Sequence, residues 1–282
     1  MNLKFENLVK KYQKVSRGLV HHERYNLYAL SCHSTGIEGS ELSREDVNFL
    51  LDNRLTPTGK KIEDILMVED HHEALKAMLE MAHQKNLIEL SVADLRRLSP
   101  KILLRTIAAE FAKHWNFDVL NGVFRKVSLQ AGNRVFMEPE KVPIAMDAFL
   151  LNFNRDFKKQ KTITEIYQFS FKSHFLLVDI HPFRDGNGRL SRLIMNYVQR
   201  CHGLPMSIVH TDHKYKYFQI LEEVRETNRF DSLYEFMFQE ATLFFEKELN
   251  LIREKGGHYL FEKQSESKNT QKNQSHENTW TW

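Results

Sequence analysis

Apolar residues recur at helical spacing along most of the chain before residue 250. Segment 161–180 carries enough apolar side chains for a buried helix, and Pro182 ends it. After residue 189 a second stripe follows the i, i+3, i+4, i+7, i+8 rule, with Leu190, Leu193, Ile194, Tyr197 and Val198. The pattern predicts a helix-loop-helix whose loop lies between these two stripes.

Other segments have the same period. Near the N-terminus Phe5, Leu8, Val9 and Tyr12 share one face, which predicts a solvated amphipathic helix. Asn86 breaks the helical pattern of 61–97, and Ser99-Pro100 is expected to act as cap and first residue of the next helix. The remaining predicted helices cover 99–114, 142–153, 215–224 and 230–245.

Strand-like alternation is found in one stretch, residues 127–136, which contains a Gly132-Asn133 turn and predicts a short hairpin. The expected fold class is therefore all-α, a helical bundle with one short β-hairpin. We divide the chain into an N-terminal helical region (1–98), a core domain (99–255) and a polar tail (256–282) whose composition predicts disorder.

Composition narrows the function classes only slightly. The 282 residues are 41% hydrophobic, enough for a sizeable core. Forty basic and 37 acidic residues leave a net charge of +3, which is too small to argue for nucleic acid or an anionic membrane as the main partner, and we expect neither. With two cysteines and no apolar run long enough for a membrane span or a signal peptide, we expect a cytoplasmic protein.

The stretch between the two central helices has the residues of a phosphate site. Gly186, Asn187 and Gly188 lead into a helix start, where unpaired backbone N–H groups and the helix dipole favour an anion. Asn187 can add its side-chain amide or cap the helix. Arg189 and Arg192 are i, i+3 neighbours on one side of that helix.

Two further residues suggest catalysis. His181 could take a proton from an attacking hydroxyl, and Asp185 offers the single carboxylate that suits Mg²⁺ beside phosphate oxygens. Each feature alone has an ordinary explanation: a satisfied loop histidine, a plain glycine turn, or a solvated arginine face. Their occurrence within twelve residues favours a site. The adjacent pairs His21-His22 and His71-His72 diverge on a helix, so we assign no zinc site to them.

The run from His181 to Arg192 reads His-x-Phe-x-Asp-Gly-Asn-Gly-Arg-x-x-Arg and resembles the signature of the Fic (filamentation induced by cAMP) family. The resemblance implies an all-helical core that transfers AMP from ATP to a Ser, Thr or Tyr hydroxyl of a target protein, with release of pyrophosphate. It also implies Mg²⁺ as cofactor. Transfer of another group, as in kinase or phosphocholine-transferring relatives, and a non-catalytic regulatory role remain alternatives.

A second stretch, Ser34-Thr35-Gly36-Ile37-Glu38-Gly39, by itself fits a helix end with Gly39 as C-cap and Ser43 as the next N-cap. Beside the core motif it resembles the inhibitory Ser/Thr-x-x-x-Glu-Gly/Asn helix of the same family. On a helix Ser34 and Glu38 share one face. The resemblance implies that Glu38 pairs with Arg192 and holds the enzyme self-inhibited.

By the same resemblance the hairpin is a flap that binds the target segment through Val127, Ser128, Leu129 and Gln130. The expected partners are ATP and an unidentified target protein, with the chain itself as a further target. A homodimer is compatible with the sequence.

Overall fold

The computed structural model describes residues 2–17, 19, 22–85, 89–106, 121–131 and 134–254. Helices dominate these ranges, which confirms the all-α prediction. We number them α1 (Asn2–Ser16), α2 (His22–Ile37), α3 (Arg44–Asn53), α4 (Ile62–Lys85), α5 (Val92–Leu98), α6 (Val142–Phe157), α7 (Ile163–Ile180), α8 (Asn187–Cys201), α9 (Lys214–Thr227) and α10 (Asp231–Glu254). Short 3₁₀ turns span Ser99–Ile102, Pro139–Lys141 and Thr211–His213.

Helices α7 and α8 form the centre of the molecule and pack on each other more extensively than any other described pair of elements. A capping box formed by Thr162 and Glu165 starts α7. The helix ends at Ile180, where His181 takes the left-handed conformation at φ 53°. Gly186, also left-handed, precedes the first residue of α8. The predicted helix-loop-helix is confirmed, with α8 beginning at Asn187.

The N-terminal helix α1 contributes its apolar face to the main core. Phe5, Val9 and Tyr12 are each at most 4% exposed and pack with residues of α7 and α10. Glu6 accepts hydrogen bonds from the N–H and the hydroxyl of Thr164 in the first turn of α7. The first helix therefore supports the helix that leads into the motif.

Helix α2 lies between a second, smaller core and the motif helix. Tyr28 and Cys32 pack with residues of α3 and α4 in that smaller core. Helix α2 also contacts α8 and the Thr211–His213 turn. Ser43 begins α3 with a capping box to Asp46, which confirms the predicted N-cap. The chain between α2 and α3 turns at Gly39, whose φ of 111° suits glycine.

One predicted helix start is wrong. Ser99 was expected to cap a helix through its hydroxyl, but it lies in a 3₁₀ turn and its buried Oγ makes no hydrogen bond within the described chain. The capping box in this region belongs to Ser91 and Asp94, which start α5. The 61–97 segment accordingly divides into α4 and α5.

The predicted hairpin is present but short. Strands β1 (Gln130–Ala131) and β2 (Arg134–Val135) are antiparallel, with Gln130 opposite Val135 and Ala131 opposite Arg134. The N–H of Phe136 donates to the Leu129 carbonyl and extends the pairing by one bond. The predicted turn at 132–133, the helix beyond residue 106 and the tail from 256 lie outside the described residues. None of the described helices is long and apolar enough to span a membrane.

Candidate active site

The loop between α7 and α8 is held by its own side chains. Asn187 uses its amide twice: Oδ1 accepts from the Phe183 N–H at 2.9 Å, and Nδ2 donates to the Phe183 carbonyl at 2.8 Å. A Cβ on Gly186 would lie 3.3 Å from Ile102 and Leu103 atoms, so glycine suits both the left-handed φ of 76° and the close packing. The Asn187 side chain thus shapes the loop, and the anion-binding role assigned to it stays a prediction.

His181 lies at the start of this loop with a defined tautomer. Its Nδ1 is 3.3 Å from the carbonyl oxygen of Val178, and because a carbonyl only accepts, Nδ1 carries the proton. That leaves Nε2 with the lone pair a base needs. The imidazole stacks on the Phe136 ring with centroids 3.8 Å apart. Burial lowers the pKa of His181 to about 4; the hydrogen bond to Val178 opposes the shift, and the charges of Arg134 and Arg125 add to it.

Arg125 joins the hairpin to this loop. Its Nε donates to the His181 carbonyl at 2.8 Å and its backbone N–H donates to the Pro182 carbonyl at 2.9 Å. Its Nη1 and Nη2 donate to the carbonyls of Val127 and Met137, on the two sides of the hairpin. Arg125 is 4% exposed, so a buried side chain links the motif loop to both sides of the hairpin. No sequence pattern pointed to it.

The hairpin has a second attachment to α7. Arg134 donates to the Asp179 carboxylate at 2.7 Å and lies over the Phe136 ring at 4.2 Å. Asp179 also accepts from Arg225 of α9 at 2.9 Å. These contacts hold Phe136 against His181, so the hairpin orients the imidazole.

At the N-terminus of α8, Arg189 is 4% exposed and donates to the Ile102 carbonyl at 3.2 Å. Its guanidinium also lies 3.8 Å from the Asp185 carboxylate. The Asp185 side chain is 65% exposed and accepts a hydrogen bond from the Gly186 N–H. A carboxylate is thus accessible beside the start of the helix.

Arg192 is 3% exposed, and its guanidinium hydrogen-bonds residues of α2 and of the turn that follows it. Nε donates to the Ser34 hydroxyl and Nη2 to the Ser34 carbonyl, both at 2.9 Å. Nη2 also donates to Glu38 Oε1 at 2.6 Å. The side chain further hydrogen-bonds Tyr217, whose hydroxyl lies 2.7 Å from Nε2 of His174. The structure therefore contains the predicted Glu38–Arg192 contact.

Glu38 lies against the first turn of α8 because Gly188 has no side chain. A Cβ on Gly188 would come within 2.5 Å of Glu38 Oε1. Desolvation raises the pKa of Glu38, but the charges of Arg192 and Arg189 outweigh it, and the pKa is lowered overall. A negative group thus occupies the helix terminus where the sequence predicts an anion.

The structure brings His181, Asp185, Arg189, Arg192 and Glu38 to one end of α8. It leaves the roles of the four predicted flap residues untested. Val127 and Ser128 are exposed, while the carbonyls of Val127 and Leu129 bond within the protein, to Arg125 and Phe136. Sequence reasoning missed Arg125 and the contact of Phe136 with His181, because neither belongs to a recognised motif.

Residues 89–199 match the model of the Fic/DOC family. The protein adenylyltransferase Fic of Aedes aegypti is 29% identical over 194 residues, which cover 69% of this chain and 36% of that protein. The protein of the same name from Culex quinquefasciatus is 28% identical over 229 residues, covering 79% and 43%. The chain spans about two fifths of the length of these relatives.

Solved structures share the fold. A Fic domain containing signaling protein from Bacteroides thetaiotaomicron superposes with a TM-score of 0.71 at 21% identity, over 86% of this chain and 95% of that one. Fic-1 from C. elegans superposes with a TM-score of 0.71 at 19% identity, over 89% of this chain and 71% of that one. Both similarities extend well beyond residues 89–199. Residues 89–199 thus match the Fic/DOC family model, and the chain has the helical fold of Fic-domain structures.

Proposed function

We propose that the chain transfers AMP from ATP to a hydroxyl group of a target protein, as the names of its curated relatives suggest. The observation that carries the proposal is the arrangement of His181 beside the arginine-flanked helix start of α8. A base and an anion site adjoin each other there. The cytoplasmic location, the ATP and target partners and the domain boundaries at 98/99 and 255/256 belong to the same proposal.

In this reaction the target hydroxyl oxygen attacks the α-phosphorus of ATP and the bond from that phosphorus to the bridging oxygen breaks. Pyrophosphate leaves, and the hydroxyl proton moves to Nε2 of His181. Because burial keeps the imidazole neutral at pH 7, Nε2 is ready to accept the proton. The backbone N–H groups at the start of α8, with Arg189 and Arg192, would hold the phosphates in line for attack.

Asp185 fits the proposed Mg²⁺ ion. It offers one exposed carboxylate beside the phosphate site, and Mg²⁺ is usually bound by one or two carboxylates plus phosphate oxygens and water. A bound ion would neutralise charge on the phosphates. Asp185 would bind it, and Arg189, 3.8 Å from that carboxylate, would hold Asp185 in place.

We further propose that Glu38 inhibits the reaction. Its carboxylate engages Arg192 and lies where a phosphate would approach Gly188, so it would both occupy the site and repel the nucleotide. Ser34 strengthens the block because its hydroxyl and carbonyl bind the same guanidinium. Release of the turn at Glu38 would return Arg192 to the phosphates.

The test compares wild type with Glu38→Gly, using ATP labelled at the α- or at the γ-phosphate. Hydrogen bonds to charged groups contribute about 1.5–3 kcal/mol. We therefore expect labelling from α-³²P-ATP to rise roughly ten- to hundredfold in the variant. Glu38 lies in the turn after α2 and not inside the helix, so glycine there should leave the chain folded. Label from γ-³²P-ATP should stay at background.

Two variants control this experiment. Glu41→Gly removes a nearby exposed carboxylate that pairs with Lys61, and it should label like wild type. Glu38→Gly with His181→Ala should bind ATP but transfer nothing, because the base is lost while the phosphate contacts stay. Transfer of the γ-label would identify a kinase. Absence of both labels from folded Glu38→Gly would refute AMP transfer.

A further inference from the structure

Two histidines and a glutamate converge at the 3₁₀ turn between α8 and α9. His210 precedes the Thr211–His213 3₁₀ turn, His213 ends it, and Glu240 faces both from α10. The His210 Nδ1 lies 2.9 Å from Glu240 Oε2, and the His213 Nδ1 lies 2.6 Å from Oε1. One nitrogen of each imidazole and a carboxylate oxygen all lie within 4.8 Å of one another.

The Glu240 carboxylate is an unusual core group. Its side chain is 3% exposed, and in the described part of the chain its ion pairs are with these two histidines rather than with a lysine or arginine. Buried carboxylates are usually paired with a full positive charge or bind a metal. The backbone N–H of His210 donates to the same carboxylate at 2.6 Å and fixes the orientation of the carboxylate. Two imidazoles around a preset carboxylate are a common ligand set for zinc.

We propose that His210, His213 and Glu240 bind a divalent transition metal of the zinc class. Zinc bonds to nitrogen and carboxylate oxygen measure about 2.0–2.2 Å, which at tetrahedral angles separates the ligand atoms by about 3.3 Å. The present separations of 2.6 and 2.9 Å, each to a different oxygen of the Glu240 carboxylate, need to open by about 0.4–0.7 Å. On binding, each neutral imidazole moves its proton from Nδ1 to Nε2, so that the Nδ1 lone pair faces the ion. The His213 side chain is 44% exposed, so the ion can enter from solvent and keep water as its fourth ligand.

The site would stabilise the last turn of α2. Thr211, between the two histidines, donates from its N–H to Nδ1 of His33 at 3.2 Å and from its hydroxyl to the His33 carbonyl at 3.4 Å. A Cβ on Gly36 would come within 2.5 Å of the Thr211 hydroxyl, so the two segments are in close contact. An ion that rigidifies the turn at Thr211 should therefore slow opening of the backbone at Glu38 and Ser40, whose N–H groups both donate to Thr35.

The experiment titrates zinc into the full chain, freed of metal by a chelator, and follows binding by calorimetry and metal content by mass spectrometry. The variants are His213→Ala and Glu240→Gln. His83→Ala, which removes an exposed histidine outside the cluster, is the matched control. Circular dichroism verifies folding, and the half-exposed His213 makes its variant usable if Glu240→Gln fails to fold. Hydrogen exchange of the amides of Glu38 and Ser40 is measured with and without zinc.

We expect one equivalent of zinc in wild type and in His83→Ala. The two cluster variants should bind it at least roughly ten- to hundredfold more weakly, since loss of an outer partner alone costs that much. Zinc should slow exchange at Glu38 and Ser40 in wild type but not in His213→Ala. Equal zinc binding by His213→Ala and wild type, or no binding by wild type, would overturn the proposal. None of these readouts depends on AMP transfer.

Discussion

His181 combines an unusual backbone conformation with a fixed tautomer. It is one of three described non-glycine residues with positive φ, a conformation that costs energy and persists where the surroundings enforce it. The hydrogen bonds that end α7, the Arg125 contact to its carbonyl and the Phe136 stack all enforce it here. The residue that the motif identifies as a base is therefore oriented by residues that lie outside the motif.

The lowered pKa of His181 predicts an unusual pH profile. A general base must be neutral, and with a pKa of about 4 His181 stays neutral well below its ordinary value of 6.5. In Glu38→Gly, kcat/KM should therefore fall on the acid side only near pH 4 to 5. Arg134→Gln should move this limb upward, because the Arg134 charge helps to lower the pKa. An acid limb near 6.5, with folding intact by circular dichroism, would contradict the assignment.

Among the elements, the hairpin depends on one buried side chain more than on its own pairing. Its strands have two residues each, too few for an independent hairpin. Arg125 binds the carbonyls of Val127 and Met137 and also that of His181. The hairpin and the catalytic loop should therefore lose order together when this residue is changed.

Arg125→Gln tests this coupling. In the Glu38→Gly background we expect AMP labelling to fall by about tenfold or more, while ATP binding stays near normal because Arg125 lies outside the phosphate contacts. Hydrogen exchange should accelerate over residues 127–137. Lys126→Gln changes the exposed neighbouring charge and should have neither effect. Weakened ATP binding without faster exchange would show that Arg125 acts in the nucleotide site instead.

For the whole molecule, α1 and α10 close the main core over α7. The Phe5 ring meets the rings of Tyr167 at 4.9 Å and Phe238 at 4.8 Å in edge-to-face geometry. Residues from before and after position 98 share this core. We therefore expect the described chain to unfold as one cooperative unit.

Phe5→Ala measures how much the packing of α1 contributes to the free energy of unfolding. Removing a buried phenylalanine typically costs about 3–5 kcal/mol, so the urea midpoint should fall clearly and in a single transition. Leu3 is 72% exposed on the same helix, so Leu3→Ala should change the free energy of unfolding by at most about 0.5 kcal/mol. An early transition confined to α1, with the remaining core unaffected, would show that the helix is peripheral.

Local patterns in the sequence determined the helices, because apolar periodicity and capping residues act within a few turns. Thr162 and Ser43 are examples whose capping boxes formed as local chemistry requires. The twelve-residue motif likewise placed its base, carboxylate and arginines at one helix start, since they are close in sequence. The Ser99 cap was wrong because α5 runs directly into the 3₁₀ turn: Ser99 is the C-cap of α5 with helical angles of φ −58° and ψ −42°, whereas an N-cap has an extended backbone.

Contacts between distant residues were decided by the tertiary structure. The family resemblance predicted that Glu38 meets Arg192, but only the fold shows that Ser34 shares that guanidinium and that the bare Cα of Gly188 makes room for the carboxylate. Arg125, Phe136 and the His210–His213–Glu240 cluster carry no sequence signal of their own. Their partners come from separate segments, and the positions of those segments depend on how the helices pack.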